Sequence, residues 1–185
     1  MPRPTDPLIR EEILTAAEEL LDQGSATAIT MRAISEKTGI AVTTIYERFG
    51  DRERLLRELA YHLSEVEARK VEQFTKLDEM LLFYFRYAEE NPSRYELLAE
   101  TFFERLEGDG VPGYSLLKQR LAETLGGAPE DHEELAMGVL ALLVGTVKGI
   151  MIVDESSPYR EKIVQAAIST LRLILAAKQQ RIAVP

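Results

Sequence analysis

Residues 30–56 read TMRAISEKTGIAVTTIYERFGDRERLL, and their spacing predicts two short helices joined by a glycine turn and followed by a third. Thr30 is placed to cap the first helix, with Ala33 and Ile34 as its apolar side. Gly39 supplies the positive-φ position that ends it, and Ile40 follows as a residue able to tuck into a core. In the second helix, about Val42 to Phe49, Ile45 and Phe49 are four apart and share a face, which leaves Val42, Thr43, Tyr46 and Glu47 on the others. Gly50 and Asp51 break and restart the chain, and Leu55, Leu56 and Leu59 form the next buried stripe. Two short helices crossing through a glycine turn are a helix-turn-helix, whose second helix enters the major groove of DNA.

Three spaced elements carry a resemblance to a known family. They are Thr-x-Arg-x-Ile (Thr30, Arg32, Ile34), Gly-Ile-x-x-x-x-Ile-Tyr-x-x-Phe (Gly39, Ile40, Ile45, Tyr46, Phe49) and Arg-Glu-x-Leu (Arg52, Glu53, Leu55). With the preceding IREEILTAAEELLDQG, Ile9 to Gly24, they resemble the DNA-binding domain of tetracycline-repressor (TetR) type regulators over about the first third of the chain. Beyond it the likeness is one of length and helical character. The resemblance implies that Tyr46 and Arg52 bind phosphate, that a ligand cavity lies among the helices after the head, and that the protein is a dimer, with repression as the default. This chain departs from the family pattern in having Ala41 where a polar residue often opens the recognition helix, Arg48 for a frequent His, Arg52 for a common Lys and Ser35 for a small Ala.

DNA contact is expected from Thr30, Met31, Arg32, Ala41, Val42, Thr43, Thr44, Tyr46, Glu47, Arg48 and Arg52. Val42, Thr43 and Thr44 offer methyls to thymine and hydroxyls to either base, Glu47 can accept from cytosine, and Arg32 and Arg48 suit guanine or phosphate. No Asn or Gln is present for a bidentate adenine contact. The formal charge of −9 runs against nucleic-acid binding. Between Thr30 and Arg57, however, six basic residues face four acidic ones, a local balance of +2. The acid lies mostly elsewhere and weakens loose, non-specific binding.

The rest reads as helices separated by clear punctuation: one from Asp51 into the seventies, then about Leu77–Glu90, Ser93–Leu106, Pro112–Leu125, Pro129–Asp154 and Pro158–Gln180. The expected fold is all-α, with about nine helices. A helix-turn-helix domain is placed at 1–52 and a helical ligand-binding and dimerisation domain at 53–185. Nine of thirteen aromatics fall between Phe74 and Tyr114. In Phe83-Tyr84-Phe85 successive side chains are about 100° apart, so the three cannot share one narrow stripe. Tyr61, Phe74, Phe83, Tyr84, Tyr87, Phe102, Phe103 and Tyr114 are the candidate lining of an effector site for a small, largely apolar or aromatic molecule; plain core packing is the alternative. Glu100 and Glu104 lie one turn apart beside them and are expected to face water.

Leu135 to Val153 is long and apolar enough to suggest a membrane span. Acidic residues at both ends and the absence of a basic flank argue against one. Gly138, Ala141, Gly145 and Gly149 recur at three and four, giving a face with almost no bulk. With Ile168, Leu171 and Leu175 they are expected to form half of a four-helix homodimer interface. With no cysteine and only His62 and His132, no catalytic or metal-binding constellation stands out, so neither an enzyme nor a cofactor is expected. Nothing points to secretion, and the cytoplasm is the expected compartment. The partners implied are double-stranded DNA bearing a pseudo-palindromic operator, a small-molecule effector and a second copy of the chain. The alternatives are an activator, or a helical interaction module that has lost DNA binding.

Overall fold

The computed structural model describes residues 7–107 and 110–182, which form ten α-helices and two short 3-10 turns with no strand among them. The helices are α1 (Pro7–Asp22), α2 (Met31–Thr38), α3 (Val42–Phe49), α4 (Arg52–Val71), α5 (Leu77–Glu90), α6 (Pro92–Glu100), α7 (Phe102–Glu107), α8 (Pro112–Leu125), α9 (Glu133–Ile152) and α10 (Tyr159–Ile182). The single helix expected over 93–106 is two, because the backbone turns at Thr101. Its hydroxyl donates to the Leu97 carbonyl and accepts from Arg105 Nε, so the side chain holds the corner.

Packing divides the chain into two units. The first holds the described residues up to 64 and those from 91 to 110; the second holds 65–90 and those from 111 onward. The division expected at 52/53 therefore shifts, for a physical reason. Leu55, Leu59 and Leu63 of α4 are buried in one cluster with Ile13, Leu21, Ile34, Ile45 and Phe49, and Leu97 of α6 joins the same cluster. Arg94 fixes α6 to α1 with ion pairs to Glu18, at 2.8 Å, and to Asp22, and Ser93 Oγ donates to the Gly24 carbonyl.

In the second unit α5, α8, α9 and α10 bury Leu81, Phe85, Leu121, Val139, Val147 and Ile150. Arg160 closes the turn into α10 by donating to the carbonyls of Ile150 (2.9 Å) and Val153 (3.0 Å) and pairing with Glu89. Two of the expected interface residues belong to this core: Ile168 is 5% exposed and Leu171 fully buried within the chain. The apolar periodicity of α10 serves its own unit at these positions. Gly138, Ala141 and Gly145 face outward, Leu175 is half-buried, and Gly149 packs against Ile163. Of the most apolar 18-residue window in Pro129–Ile152, which is long and apolar enough to cross a membrane by composition, only 28% is buried within the chain.

Candidate nucleic-acid interface

The helix-turn-helix is built as its residues dictate. Thr30 Oγ1 accepts the Ala33 N–H at 3.0 Å and so caps α2. Gly39 ends it at φ 74°, in the left-handed region that a side chain resists, and donates to the Ser35 carbonyl at 2.8 Å. No side chain caps α3, where Ala41 stands at the N-cap. Asp51 Oδ1 accepts the Arg54 N–H at 2.7 Å and opens α4.

On α3, Ile45 and Phe49 are fully buried and hold the helix to the core. That orientation leaves Thr43, Tyr46 and Glu47 exposed together, at the i, i+3, i+4 spacing of one helix face. Ala41 is exposed at its start, while Thr44, Arg48 and Val42 are half-buried on the flanks, with Val42 packed against the head's core. Thr30 and Arg32 are exposed on α2. Arg32 pairs with Glu36 at 2.9 Å, with both side chains mostly in water. Such a pair contributes about 0–1 kcal/mol, so phosphate can replace Glu36 at little cost.

Two expected contacts change. Met31 is 5% exposed and forms part of the head's core, because its position at the start of α2 faces α1 and not outward. Arg52 directs Nε to the Ile29 carbonyl at 2.7 Å and Nη2 to the Ala26 carbonyl, so two of its five donors brace the loop before α2. Hydrogen bonds from a charged group contribute about 1.5–3 kcal/mol each, and only a guanidinium has the fork to make both. Arg52→Ala is therefore expected to lower the head's stability by about 2–3 kcal/mol in denaturant unfolding, with Arg52→Lys recovering only part. A variant that unfolds like the wild type but binds DNA weakly would return Arg52 to phosphate.

The expected effector residues fall into separate groups. Phe74, Phe83, Tyr84 and Tyr87 are brought together in the second unit. Phe83 stacks on Tyr87 (centroids 6.3 Å apart, 15° between planes), meets Tyr84 edge-on at 5.7 Å and lies 5.8 Å from Phe74. Tyr114, in the same unit, donates its hydroxyl to Glu133 Oε1 at 2.9 Å, a tie to α9. Phe102 and Phe103 pack edge-on in the first unit, with Phe103 62% exposed. Tyr61 lines an open depression of about 610 Å³ with Arg10, Arg54, Arg57 and Glu58, a charged setting and not an aromatic one. Glu100 is exposed, and the Glu104 side chain lies outside the described residues.

Two buried charges escape a reading of spacing. Arg105, 3% exposed, donates to Thr101 Oγ1 and the Leu98 carbonyl, and burial pulls its pKa down to about 10. Glu67 is 2% exposed in the last turns of α4. It sits in the run EVEARK, whose composition reads as a solvated face. Among the described residues no cluster of His, Asp or Glu is arranged to hold a metal ion.

Residues 13–59 match the family model of bacterial regulatory proteins of the tetR family. The head is a tetR-family DNA-binding domain. The tetR match spans the buried stripe of α1, both helices of the helix-turn-helix and the start of α4, which are the elements whose geometry sets Thr43, Tyr46 and Glu47 outward. The chain is thus a DNA-binding transcription regulator of helix-turn-helix type. No curated protein matches it. A solved structure, the TetR family repressor AlkX from a Dietzia species, implicated in biodegradation of n-alkanes, is similar over 97% of this chain and 98% of its own. The TM-score is 0.58 at 18% identity, so the tetR likeness beyond the head is one of fold.

Proposed function

We propose that this regulator is a repressor that binds a pseudo-palindromic operator as a homodimer and is released by a small-molecule effector held in its second unit. The observation that carries the reading is the outward face of α9. Gly138, Ala141 and Gly145 lie exposed at helical spacing on a helix rich in Leu, Val and Ile, and a Cβ added at Gly138 or Gly145 would meet nothing within 4 Å. An apolar helix that its own chain leaves mostly uncovered needs a partner, and a small-residue face admits another helix closely. A two-fold pair would present two α3 helices to successive major grooves. The acidic flanks favour a second copy over a membrane span as the cover for this face: α9 starts at Glu133 and Glu134 and is followed by Asp154 and Glu155, with no basic flank.

Effector release follows from α4, one uninterrupted helix whose Leu55 and Leu59 are buried in the head and whose Glu67 and Val71 are buried in the second unit. A ligand that prefers one setting of that helix shifts DNA affinity by its differential affinity and no more. The test is selection of bound sequences from random duplexes, followed by gel shift on the enriched operator. A two-fold symmetric sequence is expected, with Thr43→Ala changing base preference within each half-site. Enrichment of no sequence, or of a single unrepeated half-site, would overturn the dimeric repressor.

A further inference from the structure

A cationic depression opens on the head where α1 meets the first turns of α4. Arg54, Arg57, Glu58 and Tyr61 lie at i, i+3, i+4 and i+7 and so form one stripe along α4; with Arg10 of α1 they line a hollow of about 610 Å³. Glu58 joins the two helices by pairing with Arg10 Nη2 at 3.0 Å and with Arg54 Nε at 3.3 Å. Three guanidiniums against one carboxylate leave a surplus of two positive charges, in a chain whose formal charge is −9. The side chains of Arg10 and Arg54 are 42% and 59% exposed, so both reach water.

The hollow adjoins the DNA-reading surface. α4 begins at Arg52, three positions after α3 ends at Phe49, and the Asp51 carboxylate that opens α4 takes the Arg54 N–H. Arg52 joins the same turn to the carbonyls of Ala26 and Ile29, just before the exposed Thr30 at the start of α2. The resemblance placed a phosphate contact on Arg52, whose guanidinium is engaged on that loop. Backbone phosphates border the groove that receives a recognition helix, and cations beside the helix meet them. A guanidinium fork matches phosphate, and a partly exposed Arg–Glu pair contributes only about 0–1 kcal/mol, so a phosphodiester displaces Glu58 at little cost. We propose that Arg10, Arg54 and Arg57 clamp backbone phosphates of the duplex beside the groove read by α3, with Glu58 as the internal anion that holds Arg10 and Arg54 until DNA arrives. Such contacts set affinity and register and carry no base sequence.

The experiment measures, by fluorescence anisotropy on the full-length protein, affinity for the selected operator and for an unrelated duplex of the same length, between about 50 and 200 mM salt. The unrelated duplex makes the result independent of whether a two-fold operator is found. Arg10→Ala, Arg54→Ala and Arg57→Ala should each weaken binding to both duplexes by a similar factor, about fivefold or more at low salt, and reduce the slope of log affinity against log salt by about 1. Arg57→Lys keeps the charge and should keep the slope. Glu58→Gln should bind both duplexes about threefold more tightly, a gain that no folding defect produces. Arg69→Ala removes the same charge about 22 Å farther along α4 than Arg54, beyond a Debye length, and should leave the slope unchanged. Unchanged slopes in the three alanine variants, a slope lost in Arg57→Lys, an equal loss in Arg69→Ala, a loss confined to the operator, or unchanged or weaker binding by Glu58→Gln would each overturn the clamp. So would calorimetry in which these arginines bind inorganic phosphate in the free protein while contributing nothing to either duplex, which would assign the hollow to a free anion.

Discussion

Phe49→Ala is expected to unfold much of the DNA-binding head, whereas Tyr46→Ala, one turn away on the same helix, should leave its stability within about 0.5 kcal/mol. Phe49 is fully buried and among the largest such side chains in the chain, whereas Tyr46 is 50% exposed. Truncating a buried Phe removes its transfer free energy and leaves a cavity, together about 3–5 kcal/mol. Domains have only about 5–15 kcal/mol of stability in total. Because Phe49 packs in the same cluster as Ile13, Ile34, Ile45 and Leu59, the loss is shared by α1, α2, α3 and α4. Denaturant unfolding followed by circular dichroism reads the stability, and gel shift reads DNA affinity. Phe49→Ala should lose both, and Tyr46→Ala only the second. If Tyr46→Ala unfolded as readily as Phe49→Ala, the outward face assigned to α3 would be wrong.

Gly145→Glu is expected to separate the proposed dimer while leaving each protomer folded. No atom lies within 4 Å of the Cβ it would add, and replacing a mid-helix glycine by glutamate improves helix propensity by about 0.5–1 kcal/mol. Across a two-fold axis the same change sets two carboxylates into a close apolar contact, where neither finds a partner. Light scattering should report a fall from twice the 20.8 kDa chain mass to the chain mass itself. Operator affinity should fall about 100-fold or more as the second half-site contact becomes a separate binding event. An unchanged mass with unchanged affinity would place the interface elsewhere.

The local parts of this molecule were legible in its residues. Thr30 caps α2, Gly39 ends it, and Ile45 and Phe49 are buried as their spacing demands, because each depends on neighbours within four positions. What escaped depends on distance along the chain. Arg52 reads as a phosphate ligand until the carbonyls of Ala26 and Ile29, 26 and 23 positions earlier, are seen to engage it. Met31 lies next to Arg32 in sequence, and only the packing of α2 tells which of the two faces water. Leu171 has the same apolar character as an interface residue, and periodicity alone cannot distinguish its own core from a partner's. Glu67 lies hidden because three charged neighbours, Glu65, Arg69 and Lys70, make its segment look solvated. The aromatic run is too wide for one stripe, and it divides accordingly, with Phe85 in the core and Phe83 and Tyr84 half-buried.

Leu97 has a consequence for how the protein is made. Its side chain, 2% exposed, completes the same buried cluster as Ile13 and Phe49, yet it leaves the ribosome after the whole of α5. The cluster beneath the DNA-reading head is therefore completed only after its own helix-turn-helix has emerged. Its last member arrives more than forty positions downstream, after the chain has passed through residues 65–90 of the other unit. A gene-level exchange that transplanted only the first fifty or so residues onto a different body would carry the contact residues but leave a hole in their support. For this regulator the heritable module is larger than the motif that names it.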